Sequence, residues 1–203
     1  MTGAEFITHV QVKLNRLDTN AYEDVRPEEV IFFANDALKS LTLGLDLGLY
    51  SQLIDKSAAL VYLAGLTLIQ PELVLTNSAV VLPTSVLKLK DVEAFVVIGT
   101  ESAWCPTREQ DNLLTSTRED NPWTRSYPDT PSYRLIDGKI KFDVSNFSCT
   151  KVRYDYLKTP TVITEASTLT YAFMPELEDK TVTLILENLE ARRLQTQPTV
   201  SKS

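Results

Sequence analysis

Ser132-Tyr133-Arg134-Leu135-Ile136-Asp137-Gly138-Lys139-Ile140-Lys141-Phe142-Asp143-Val144 sets two short apolar-rich runs either side of Asp-Gly. That dipeptide tolerates the left-handed backbone of a two-residue hairpin turn, so the stretch predicts a pair of strands. Lys151 to Leu157 reads as a further strand, ended by Thr159-Pro160, and Val92 to Ile98 as another by its β-branched content. Leu73 to Leu75 and Ala79 to Leu82 flank Thr76-Asn77-Ser78, which predicts a short hairpin. Thr107 and Gln110 have capping-box spacing ahead of Leu113 and Leu114, which predicts a short helix among the strands. From Thr115 to Ser132 the chain holds Pro122, Pro128 and Pro131 and reads as an extended arm. Its Trp123 and Tyr127 either pack against the protein's own sheet or serve as partner anchors, because aromatic side chains carry much of the energy of interfaces.

Outside this strand-rich middle the period changes to that of helices. Thr2 and Glu5 form a capping box, and Phe6, Val10, Leu14 and Leu17 recur at helical steps with Ile7 beside them. His9, Gln11, Lys13 and Arg16 make the polar side. After a polar link from Asp18 to Arg26, Pro27 starts a second helix with Glu28 and Glu29 in its first turn. It runs through Ile31, Ala34, Leu38, Leu41 and Leu45 and ends near Gly44 and Gly48. A third helix is expected from Asp55 or Lys56 to Ile69, stopped by Pro71; being apolar nearly all round, it predicts a central helix. Met174-Pro175-Glu176 opens the last helix, which has Glu176, Glu178 and Asp179 at its start and Arg192 and Arg193 at its end, complementing the helix dipole.

Helices, then strands, then one helix, with no βα alternation, give an α+β class. The terminal helices are expected to form a helical bundle core from residues 1–71 plus 174–197. Residues 72–173 would be a β-rich insertion carrying the 115–132 arm, and 198–203 a loose polar tail.

The 203 residues are 43% hydrophobic and 23% charged, the balance of a folded globular protein. The apolar run from Ala58 to Leu68 is too short to cross a bilayer, so no membrane association is expected. Met1 to Val10 lacks the basic cluster of a secretory leader, which predicts a cytoplasmic chain with Cys105 and Cys149 as free thiols. A net charge of -7 argues against gripping of nucleic acid through phosphate neutralisation; the same sign suits a surface past which DNA slides, and solubility alone accounts for it equally well.

Chemistry-bearing patterns are sparse. The glycines make no phosphate-binding loop, and one histidine with two distant cysteines gives no zinc-ligand spacing, so no cofactor and no metal are expected. His9 lies on the polar side of the first helix and reads as solvated. The acidic group Glu176, Glu178 and Asp179 is explained by the dipole. No catalytic residue emerges, and the chain is expected to work by contact. The rival readings are a carboxylate-dependent hydrolase of cell-wall glycan and a helical module that binds a host protein.

Five short motifs then coincide: Tyr22 to Pro27 between the first helices, Leu82-Pro83 with Val86-Leu87 leading into a strand, and Asn121-Pro122-Trp123. Tyr154-Asp155-Tyr156-Leu157-Lys158-Thr159-Pro160 and Met174-Pro175-Glu176-Leu177 complete the set. In this the chain resembles the head-to-tail connector proteins (adaptor or ring proteins) of tailed bacteriophages of the short-tailed and crAss-like types. The resemblance implies a structural virion protein assembled in the host cytoplasm. It implies a homo-oligomeric ring, dodecameric as a rule, beneath the portal of the filled capsid, bridging portal protein and tail proteins around a channel for genomic DNA. Trp123, Tyr127, Arg192, Arg193, Gln197 and Pro198 are the candidate partner contacts, and Arg192 to Ser203 the segment expected to dock on another ring.

Overall fold

The computed structural model describes residues 1–17, 25–49, 56–110, 126–144 and 146–196, with the Arg193, Gln195 and Thr196 side chains excepted. The chain forms two compact units, Met1–Ala64 with Pro160–Ser203, and Gly65–Thr159. Helices precede and follow two sheets, an α+β architecture.

The first unit contains α1 (Gly3–Leu17), α2 (Pro27–Asp46), all but the last two residues of α3 (Lys56–Leu66), and α4 (Met174–Thr196). The capping box forms as its spacing predicts: the Thr2 amide donates to the Glu5 carboxylate at 2.7 Å and the Glu5 amide to the Thr2 hydroxyl at 3.2 Å. Phe6, Ile7, Val10 and Leu14 are buried. Leu17, expected in that stripe, is 67% exposed, because the helix ends there. In α2, Val30, Ala34, Ala37, Leu38, Leu41 and Leu45 are buried; Gly44 stays helical, and Gly48 follows the end with φ 72°. α1 and α2 each contact α4 and touch one another, so helices from the two ends of the sequence share a core. Phe6, Leu14, Leu38, Leu41, Leu177 and Ile185 in it are fully buried. Each contributes about 1.5–3 kcal/mol by leaving water.

The segment ahead of α4 is irregular, with one bridge from Thr168 to Thr2, and binds the start of α1. Gly3 and Ala4 donate their amides to the Ser167 and Glu165 carbonyls at 2.8 and 3.1 Å, and Leu169 donates to the Met1 carbonyl at 2.8 Å. The Ser167 and Glu165 carbonyls satisfy amides that the first turn of a helix cannot satisfy itself. The approach is so close that a Cβ on Gly3 would lie 2.0 Å from the Thr164 oxygen.

α3 differs from its expectation twice. It ends at Leu66, since from Thr67 the backbone pairs with another strand, and Pro71 is accommodated at a register shift in that strand. Nor is it central: it buries only Ala59 and Leu63, while Leu60 and Val61 are 58% and 75% exposed. Its Tyr62 packs edge-on against Tyr171 and Phe173.

The second unit has β1 (Thr67–Val74), β2 (Ala79–Val81), β3 (Val86–Ile98), β4 (Glu101–Pro106), β5 (Arg108–Glu109), β6 (Ser132–Ile136), β7 (Lys139–Asp143) and β8 (Ser148–Lys158). One sheet runs β1-β8-β3-β4, antiparallel throughout; the other runs β2-β7-β6-β5, with β5 parallel to β6. Val92, Ala94, Val96, Cys149, Val152 and Tyr154 of the first pack with Tyr133, Ile140 and Phe142 of the second. Asp137 and Gly138 take φ of 50° and 69° between β6 and β7, the mirror-image turn their chemistry predicts.

Two local expectations fail because pairing overrides pattern. Asn77 and Ser78 do turn, at φ 53° and 58°, and Thr76 bridges Ala79. But β1 pairs with β8 and β2 with β7, so the turn hands the chain from one sheet to the other instead of closing a hairpin. After Thr107 the described residues are extended, not helical: Arg108 and Glu109 pair with β6, and the Thr107 hydroxyl donates to the Val92 carbonyl at 2.7 Å. Leu113 and Leu114 lie outside the described residues.

Candidate functional site

Of the expected partner contacts, Trp123, Gln197, Pro198 and the Arg193 side chain lie outside the described residues. Tyr127 is 45% exposed and bridges Thr130 around the Pro128-Asp129 turn. Arg192 is engaged within its own unit, donating to the Glu29 carboxylate at 2.9 Å and tying α4 to the start of α2. That hydrogen bond, opposed by slight desolvation and helped by the Arg26 amide, holds the Glu29 carboxyl below its usual range.

His9, read from sequence as solvated, has its Nδ1 3.2 Å from Glu178 Oε1. Lys13 Nζ lies 2.9 Å from Glu178 Oε2 and 2.6 Å from Asp179 Oδ1. Glu178 is only 8% exposed, so its carboxylate serves the α1–α4 junction as well as the helix start. Burial works against the charge on Lys13, but hydrogen bonds to Asp179 and Glu178 outweigh it and raise the ammonium above its usual range. The dipole explanation of these acids was local; their partners lie at the other end of the sequence.

Beside this junction α1 and α4 leave an open groove of about 340 Å³, lined by Lys13, Arg16, Leu17, Asp179, Val182, Thr183 and Leu186. Its walls mix leucine and valine side chains with a rim of charge.

In the second unit the outward face of the first sheet carries an ordered cross-strand array. Phe95 and Trp104 are register partners with ring centroids 5.4 Å apart. The Arg153 guanidinium lies 4.5 Å from the Trp104 ring and pairs with Glu93; Lys151 lies 5.5 Å from the Phe95 ring and pairs with Glu72. Trp104 and Phe95 escaped the sequence reading, although Val92, Ala94 and Val96 facing inward put Phe95 outside by alternation. The second sheet has a groove of about 480 Å³ lined by Ala79, Val81, Ile136, Asp137, Lys139 and Lys141, among others.

Neither cysteine is bonded. Burial pushes the Cys149 thiol up to about 12, the reverse of what a thiolate nucleophile requires. Among the described residues no group of three or more His, Cys, Asp or Glu side chains could hold a metal ion.

No protein-family model matches the chain, and no curated protein matches it.

Proposed function

We propose that the protein is a structural component of a tailed-phage particle, a head-to-tail connector whose copies form a ring joining the portal of the filled capsid to the tail. The observation that carries this reading is the number of large apolar side chains left in solvent. Leu17, Leu47, Leu49, Leu60, Val61 and Leu194 of the first unit are each more than half exposed. Scattered exposed leucines are ordinary, but Leu60 and Val61 side by side on α3, a helix whose one charged residue is Lys56, fit a chain that completes its burial by assembly. The net charge of -7 supports a channel past which DNA moves without adhering.

The test is assembly with the phage's own portal. Particles labelled at this chain are expected to show density between capsid vertex and tail in electron micrographs, arranged as a closed ring. Deletion of Gln197 to Ser203 is expected to leave a folded protein that no longer joins the portal. A label on the tail tip or capsid faces, or a chain absent from particles, sinks the reading.

A further inference from the structure

Among the described residues, three edges of the two sheets are built in ways that discourage another strand from pairing. β1 carries Pro71, which has no amide hydrogen, at its register shift. β2 is three residues long and closes its Ala79 amide and carbonyl on Thr76, and β5 is two residues long. The edge at β4 is different: Glu101–Pro106 pairs with β3 over its whole length without a shift. The Thr107 amide donates to the Val92 carbonyl at 3.1 Å, which sets the alternation of this antiparallel ladder. Cys105 and Ala103 therefore exchange hydrogen bonds with Ala94 and Val96, whereas the amides and carbonyls of Ser102 and Trp104 turn away from β3. Among the described residues no strand pairs on that side, and Ser102 and Ala103 are exposed.

Unpaired backbone groups in a row take an extended chain as their partner. The turn at Gly99-Thr100 bounds this row at one end and Pro106, with no amide hydrogen, at the other. Its open residues, Ser102 and Trp104, stand symmetrically about Ala103, so the edge is complementary to itself. We infer that β4 pairs with β4 of a second copy, antiparallel and two-fold, with the two Ala103 residues facing each other on the axis. Each Ser102 then exchanges hydrogen bonds with the other copy's Trp104, and the open groups of both residues are used. Alanine suits the axis, where the strands' side chains come closest. Trp104 comes to lie beside the other copy's Ser102, its ring already held by Phe95 and Arg153. The charge of the strand, Glu101, falls opposite the other copy's Cys105, near Asp129; both acids are exposed, so salt screens their repulsion. A second copy is favoured over the chain's other edges as partner because none of those is unbroken over this length. Being two-fold, the contact closes at two copies and does not propagate, so it stands apart from the ring reading above.

The test uses the full chain with Cys105→Ser, which leaves the buried Cys149 as its native thiol. Ala103→Cys in that chain sets two thiols across a non-hydrogen-bonded pair, where Cα atoms lie about 4.5 Å apart, within reach of a disulfide. Mild oxidation is expected to give a covalent dimer at least about tenfold faster than from Val81→Cys, a control on β2 that is 66% exposed. Ser102→Pro removes an outward amide and leaves the bonds to β3 in place; Ala103→Arg sets like charges on the axis. Each is expected to raise the dimer dissociation constant, measured by sedimentation, about tenfold or more, with the thermal midpoint of the dilute chain unchanged for Ala103→Arg. Equal cross-linking at positions 103 and 81 overturns the inference. So does dimerisation that Ala103→Arg leaves as it was, or a parent chain that stays monomeric at the highest attainable concentration.

Discussion

Asn35 does the work of a strand inside a helix. Its amide nitrogen donates to the Ile31 and Ile163 carbonyls at 2.9 and 3.1 Å, while its oxygen accepts the Ile163 amide at 2.7 Å. Asn35→Ala would leave the part-buried Ile163 backbone unpaired and is expected to cost about 1–3 kcal/mol in urea unfolding. Gly3→Ala is expected to cost a similar amount, about 1–3 kcal/mol, because a backbone oxygen cannot swing aside as a side chain can. Tyr62 supplies a pH dependence. The Thr42 hydroxyl gives its proton to the Leu38 carbonyl at 2.7 Å, so the Tyr62 hydroxyl donates to Thr42. Burial pushes the phenol up to about 12. A raised acid favours the neutral folded form, so its contribution is complete below pH ~10 and is lost as pH climbs through 12. Tyr62→Phe is expected to narrow the gap between urea midpoints at pH 8 and pH 11. A remaining gap has other sources, among them Cys149, Tyr133, Tyr154 and Tyr171, whose protons burial also retains. None of these three residues was legible beforehand, because the group that defines each one lies far along the chain. The Thr2–Glu5 box and Asp137-Gly138 were legible because their partners are within three residues.

Among elements, the terminal helices and β6 to β8 followed from period and turn chemistry, while the stretch from Lys56 to Val81 did not. From Ala58 to Ile69 the composition is almost wholly apolar, and such a run fits a buried helix and a strand equally well. What decided the matter was the backbone of β8, which pairs with Thr67 onward. The junction of α2 with α4 can be tested through Glu29. A depressed carboxyl stabilises the fold above its unfolded value and loses that contribution as pH falls through the folded one. Arg192→Ala, removing the main cause of the depression, is expected to flatten the decline in stability below pH ~4.5. In β7, Ile140 is fully buried between the sheets, and Ile140→Ala is expected to cost about 2–5 kcal/mol by thermal or urea unfolding.

For the whole molecule, the second unit enters and leaves through neighbouring rungs, since Thr67 and Leu157 are register partners. All its strand pairings lie within residues 65–159, so that fragment is expected to fold alone, with dispersed amide resonances and its own cooperative unfolding. A fragment giving collapsed, undispersed spectra would show that it leans on the helices. The first unit has no such independence, because it is split by the other. On a ribosome adding roughly 5–20 residues per second, the apolar stripe of α1 emerges roughly ten to thirty seconds before α4 is available to cover it. During that interval the β unit can finish, and the nascent helices wait with Phe6, Val10 and Leu14 in water. Chaperone dependence and loss to aggregates during expression should therefore track the speed of translation across the middle of the message, and a slow codon placed there would do more harm than one near either end.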